Sequence, residues 1–117
     1  MYEHGCFRCI LNFPSDYPHS PPSMYFSPPI WHPNVHEDGK VCISILHSGD
    51  DQTGYESRSE RWAPVQSVQT IMLSVMSMLA EPNAESPANI DAAKMWREDR
   101  AAFKVKVHAN VRQSLGL

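Results

Sequence analysis

No apolar run in the sequence approaches the roughly 20 residues that a membrane-spanning helix needs, so direct membrane insertion is not expected. The opening stretch, residues 1–13, has a lone Arg8 inside its apolar part and no basic flank before it, unlike a secretory signal. Cysteine is scarce. Cys6, Cys9 and Cys42 are three and cannot pair completely, whereas a small secreted domain would carry a denser, even-numbered framework. A basic excess is missing too: the formal charge is −3, and Lys and Arg are scattered apart from a moderate cluster at residues 97–106. Nucleic acid is therefore not an expected partner. No internal repeat, low-complexity tract or interdomain linker is apparent. These absences direct expectation to a reducing compartment, the cytosol or the nucleus.

What is present suits one globular domain over residues 1–117, with 42% apolar and 20% charged residues. A chain of this length buries roughly two thirds of the surface it exposes when unfolded, enough for one core. Phe7, Cys9, Leu11 and Phe13 alternate with Cys6, Arg8, Ile10 and Asn12, the period of two that predicts a strand. Four prolines between Pro14 and Pro22 then exclude helix and central strand. Met24 to Phe26 predicts a second short strand before Pro28 and Pro29. Residues 30–64 show no helical period, only turns, polar loops and the apolar run Val41 to Leu46.

Beyond Pro64, the residues Val65, Val68, Ile71, Met72, Val75, Met76 and Leu79 follow steps of three and four, predicting a helix whose stripe is a core face, ended by Pro82. Further helices are expected from about Asn89 to Arg97 and from about Arg100 to Leu115, the last capped by Gly116. Strands first and helices last indicate an α+β fold.

Three features invite a chemical reading. Cys42, between Val41 and Ile43, is either a buried inert thiol or a nucleophile, since a free thiol is already a few per cent thiolate near neutral pH. Cys6 and Cys9 form a Cys-x-x-Cys pair. On a strand, residues three apart point to opposite faces, so neither a shared metal nor a disulfide is expected. Trp31, Trp62 and Trp96 are assigned to packing.

Residues 13–22, Phe-Pro-Ser-Asp-Tyr-Pro-His-Ser-Pro-Pro, are followed by His32-Pro33-Asn34. Cys42 stands eight residues after Asn34 in Gly-Lys-Val-Cys-Ile-Ser-Ile-Leu, and Trp62-Ala63-Pro64 and Glu81-Pro82-Asn83 come later. In this order the motifs resemble those of ubiquitin-conjugating enzymes, from about Gly5 to the end of the chain.

The resemblance implies a UBC-like fold, an antiparallel meander sheet followed by helices, and an acyltransferase. Cys42 would accept ubiquitin as a thioester from the ubiquitin-activating enzyme and pass it to a lysine. No cofactor is implied, ATP being used upstream, and no metal. Asn34 would donate a hydrogen bond to the oxyanion that forms on the thioester carbonyl; its plainer role is a turn residue capping its own loop. His32, with Pro33, is implied as a structural hydrogen bonder rather than a general base. The family often carries an aspartate that orients or deprotonates the incoming lysine, and the matching position here is Ser86, with Glu85 beside it. A ubiquitin ligase of RING type would dock on Pro18, His19, Ala63, Pro64 and Val65.

Residues 47–61, with Asp50, Asp51, Glu56 and Glu60, form a longer acidic insertion than most members have. It resembles the branch that builds degradation-type polyubiquitin chains, above all its endoplasmic-reticulum-associated degradation member, and implies work at the cytosolic face of that organelle. The family core is larger, roughly 150 residues. No segment here resembles its first helix and first two strands, so a sheet reduced to two strands and a partly uncovered first long helix are expected, with instability or self-association as a consequence. The alternative function is a truncated, non-catalytic ligase-binding module or decoy.

Overall fold

A computed structural model describes residues 1–47, 62–63, 67–83 and 87–117. Along the chain lie β1 (Cys9–Asn12), β2 (Ser23–Phe26), a single 3-10 turn (Ser44–Leu46), α1 (Val68–Ala80), α2 (Ile90–Glu98) and α3 (Arg100–Ser114). Strands β1 and β2 form a two-stranded antiparallel sheet with Cys9 opposite Phe26 and Leu11 opposite Met24. The period of two is visible in burial: Met24 and Phe26 are in the core, and Cys9 and Leu11 pack half-buried against it. β1 is shorter than the alternation suggested. Phe13 lies beyond its end, is 50% exposed, and meets the Tyr17 ring edge-on at 4.8 Å.

Each long helix starts on a side chain that satisfies a backbone N–H otherwise without a partner. Ser67 and Thr70 close a reciprocal capping box at α1, Asn89 Oδ1 accepts from the Ala92 N–H at α2, and Asp99 Oδ1 accepts from the Ala102 N–H at α3. After α3, Gly116 takes a φ of 79°, and the Leu117 N–H returns to the Arg112 carbonyl at 2.9 Å.

The core is one cluster joining Met24, Phe26 and Ile30 to Val35, Val41, Ile71, Val75, Phe103 and Val107. The apolar stripe of α1 is narrower than its sequence period indicates. Ile71, Val75 and Met78 are buried and Met72 and Leu79 half-buried, while Val68 and Met76 lie toward solvent, Met76 at 64% exposure. Steps of three and four trace two adjoining rows, and the packing buries the row through Met78, which the stripe left out.

A hairpin connects the sheet to the candidate site. Val35 pairs with Val41, the His36 N–H donates to the Lys40 carbonyl at 2.8 Å, and the Gly39 N–H returns to the His36 carbonyl at 2.9 Å. Gly39 has a φ of 97°, and a Cβ there would clash with the Phe26 carbonyl oxygen. Only glycine fits that turn. The returning arm runs beside β2: Tyr25 pairs with Lys40, and the Val41 N–H donates to the Met24 carbonyl at 2.9 Å.

Candidate active site

The hairpin accounts for the spacing of Asn34 and Cys42. Pairs of residues on the two arms share a constant sum of numbers, so Asn34 stands directly across from Cys42, whose N–H donates to the Asn34 carbonyl at 2.8 Å. Cys42 is half-buried, and its sulfur is in no disulfide. Its Sγ lies 3.5 Å from Nε2 of His47, which follows the 3-10 turn.

Asn34 is 2% exposed, and its side-chain amide is committed on both sides. Nδ2 donates to the Asn83 carbonyl and Oδ1 accepts from the Asn83 N–H, each at 2.8 Å. The amide therefore holds a loop 49 residues away rather than capping its own turn, as the plainer sequence role had it. An amide nitrogen has two N–H groups, so one remains for a second acceptor.

His32 is fully buried, with both ring nitrogens on backbone: Nε2 donates to the Met78 carbonyl at 2.9 Å, and Nδ1 accepts from the Asn34 N–H at 2.9 Å. That pattern defines a neutral imidazole, and burial pushes its pKa down to about 4. Pro33 completes the junction, its carbonyl accepting from the N–H groups of Ala88 and Asn89 at 2.8 and 3.0 Å. Residues 32–34 thus fasten the last turn of α1 at Met78, and the segment between α1 and α2 at Asn83 and at Ala88 and Asn89. Glu85 and Ser86, the expected lysine-orienting pair, lie outside the described residues, between two of those fastenings.

This sequence of motifs has close parallels among known proteins. The family model described as ubiquitin-conjugating enzyme matches residues 1–111. The chain belongs to the ubiquitin-conjugating enzyme family. It is 61% identical over 117 residues to ubiquitin-conjugating enzyme E2 G2 of Homo sapiens, covering 99% of this chain and 71% of that protein. It is 60% identical over 115 residues to ubiquitin-conjugating enzyme E2 13 of Arabidopsis thaliana, covering 97% and 69%. To the probable ubiquitin-conjugating enzyme E2 7 of Caenorhabditis elegans it is 61% identical over 115 residues, covering 97% and 70%. Members of the family work with ubiquitin, an activating enzyme and ligases.

In this ubiquitin-conjugating enzyme, Pro18 and His19 are exposed and Ala63 is half-buried. Trp62 links the two segments: its indole N–H donates to the Pro18 carbonyl at 2.9 Å, and its ring lies 6.0 Å from that of Tyr17. Pro64 and Val65 lie outside the described residues, as do Asp50, Asp51, Glu56 and Glu60 of the acidic insertion. Trp62 is in the core, and Trp31 and Trp96 pack half-buried against it. Cys6 precedes β1 and is exposed, so the strand-face argument does not reach it; Cys9 is half-buried, which pushes its thiol pKa up.

Two residues near the site were given no role in it from sequence. Asn83 is tied to Asn34 through its backbone, which no side-chain pattern records. His47 was taken only as the edge of the acidic insertion, and its approach to Cys42 depends on the 3-10 turn, too short to carry a period.

Proposed function

We propose that this enzyme accepts ubiquitin as a thioester on Cys42 and transfers it to lysine. The observation that carries this is the placement of the half-buried Cys42 thiol directly across one hairpin from Asn34. In charging, the Cys42 thiolate attacks the thioester carbonyl presented by the activating enzyme. The new carbon–sulfur bond forms as the old one breaks, and the electron pair leaves on the other enzyme's sulfur. In discharge, a lysine nitrogen attacks the carbonyl, the carbon–sulfur bond breaks, the pair returns to Cys42 and the amine proton passes to solvent. No cofactor takes part here, and ATP is consumed upstream.

The remaining N–H of Asn34 is the donor for the oxyanion of discharge, where one such bond is worth about 2.7–4 kcal/mol in other enzymes. Ser86 and Glu85 orient the incoming amine, and the fastened ends of their segment support that role. A RING-type ligase docks on Pro18, His19, Ala63, Pro64 and Val65. The acidic insertion gates the acceptor and directs degradation-type chains in the cytosol, at the cytosolic face of the endoplasmic reticulum; its likeness to that branch supports this.

Incubation with activating enzyme, ubiquitin and ATP, followed by a non-reducing gel, tests the central step. A reductant-sensitive adduct is expected, replaced in Cys42→Ser by a reductant-resistant oxyester. Ligase binding without any adduct would select a decoy instead, and a sensitive adduct persisting in Cys42→Ser would move the acceptor elsewhere. Shortening the acidic insertion to a few residues should leave charging possible and alter chain formation.

A further inference from the structure

We propose that His47 is a catalytic residue of this acyl transfer: its imidazole Nε2–H hydrogen-bonds the Cys42 sulfur and stabilises the thiolate as it attacks and as it leaves. The inference rests on the reading of Cys42 as the acceptor. Its first support is contact. Nε2 lies 3.5 Å from Sγ, a separation that suits the larger radius of sulfur.

Its second support is the way the main chain of His47 is fixed. The His47 N–H donates to the Ser44 carbonyl and the His47 carbonyl accepts from the Trp62 N–H, both at 2.9 Å. Trp62 is 8% exposed, and its indole is bonded to Pro18. Across the site, the Cys42 N–H is held by the Asn34 carbonyl at 2.8 Å. Imidazole and thiol are therefore both presented from backbone with its partners in place, the condition for a preorganised contact. His32, the other histidine of the motif, has both ring nitrogens on backbone groups and offers nothing to a reacting atom.

The chemistry needs such a donor at the sulfur. Cys42 Sγ is the atom of this chain that changes charge in both steps: it surrenders its electron pair to the carbonyl carbon in charging and recovers it in discharge. A fixed N–H at hydrogen-bond distance favours the anion with no proton transferred, and a thiol with a more stable anion is the better leaving group. The effect is smaller in charging, because a more stable thiolate is also a weaker nucleophile, with a Brønsted slope of about 0.4–0.5. Discharge should depend on His47 more than charging does.

The test compares wild type, His47→Ala and His47→Gln. Alkylation of Cys42 by iodoacetamide is followed by mass spectrometry across the titration of the thiol, and discharge of the charged protein to free lysine is followed in single turnover. For His47→Ala we expect alkylation near neutral pH to slow about threefold, the titration to move to higher pH, and discharge to slow about tenfold. His47→Gln keeps an N–H donor without a titrating ring, and it should stay within about twofold of wild type. Equal melting temperatures establish that the fold is unchanged; if Ala lowers melting, the Gln variant and wild type carry the comparison through the thiol titration, which should coincide. Wild-type rates in His47→Ala would overturn the proposal. Loss in Gln equal to that in Ala would also overturn it, because the imidazole would then act by taking a proton. Alkylation needs no ubiquitin, so it decides the sulfur contact even if the chain is never charged.

Discussion

Mild acid should destabilise this protein through His32, and the size of the effect follows from burial. The imidazole is fully buried and neutral, with its pKa pushed down from 6.5 to about 4. The unfolded chain takes up this proton as the pH falls below 6.5, while the folded chain refuses it until about 4. The unfolded state binds more protons throughout that window, so stability rises with pH across it and is lost as pH falls. Between about pH 7 and about pH 5 the linkage amounts to roughly 2 kcal/mol.

His32→Gln isolates this contribution from other titrating groups. Near neutral pH the variant should be less stable by about 1–3 kcal/mol, because the buried Asn34 N–H loses its acceptor. Toward about pH 5 the gap between the two proteins should narrow by roughly 2 kcal/mol, since the variant has no proton to refuse. Urea unfolding at a series of pH values measures both quantities from the midpoints and slopes. If wild type and variant lose stability in parallel, His32 is not held neutral and the argument from its two backbone bonds is wrong.

Asn34→Ala should slow discharge to lysine by about 2–4 kcal/mol of barrier with a smaller effect on charging, in single-turnover assays of each step; equal losses would indicate collapse of the loop at Asn83. Gly39→Ala should cost more than about 1 kcal/mol of stability, from the strain of its positive φ and the clash with the Phe26 carbonyl, with urea unfolding as the check. Phe103→Ala should cost about 3–5 kcal/mol, because the ring is fully buried and meets Trp96 edge-on at 5.1 Å. A change under about 1 kcal/mol by thermal melting would contradict that packing.

The order of elements was legible because it rests on local rules. The period of two around Cys9 and Leu11, the prolines between Pro14 and Pro22, and the capping residues Asn89 and Asp99 each act within a few residues, so strands and helices lie within a few positions of their predicted bounds. Motif order likewise carried the family and the candidates Cys42 and Asn34. Which apolar row of α1 is buried was a different matter: Met78 and Met76 are equally apolar, and only the packing partners distinguish them.

The site's internal wiring belonged to the tertiary structure. Asn34 grips the backbone of Asn83, His32 reaches the carbonyl of Met78, and Trp62 reaches the carbonyl of Pro18. Every residue has a backbone carbonyl and all but proline an N–H, so a sequence gives no sign of which one a distant side chain will find. The approach of His47 to the Cys42 sulfur has the same origin, since one 3-10 turn sets it and residue type alone does not. Sequence by itself determined the family, the chain order of the elements and the candidate thiol; the fold decided which groups surround that thiol, because hydrogen bonds to backbone are chosen by geometry and not by residue identity.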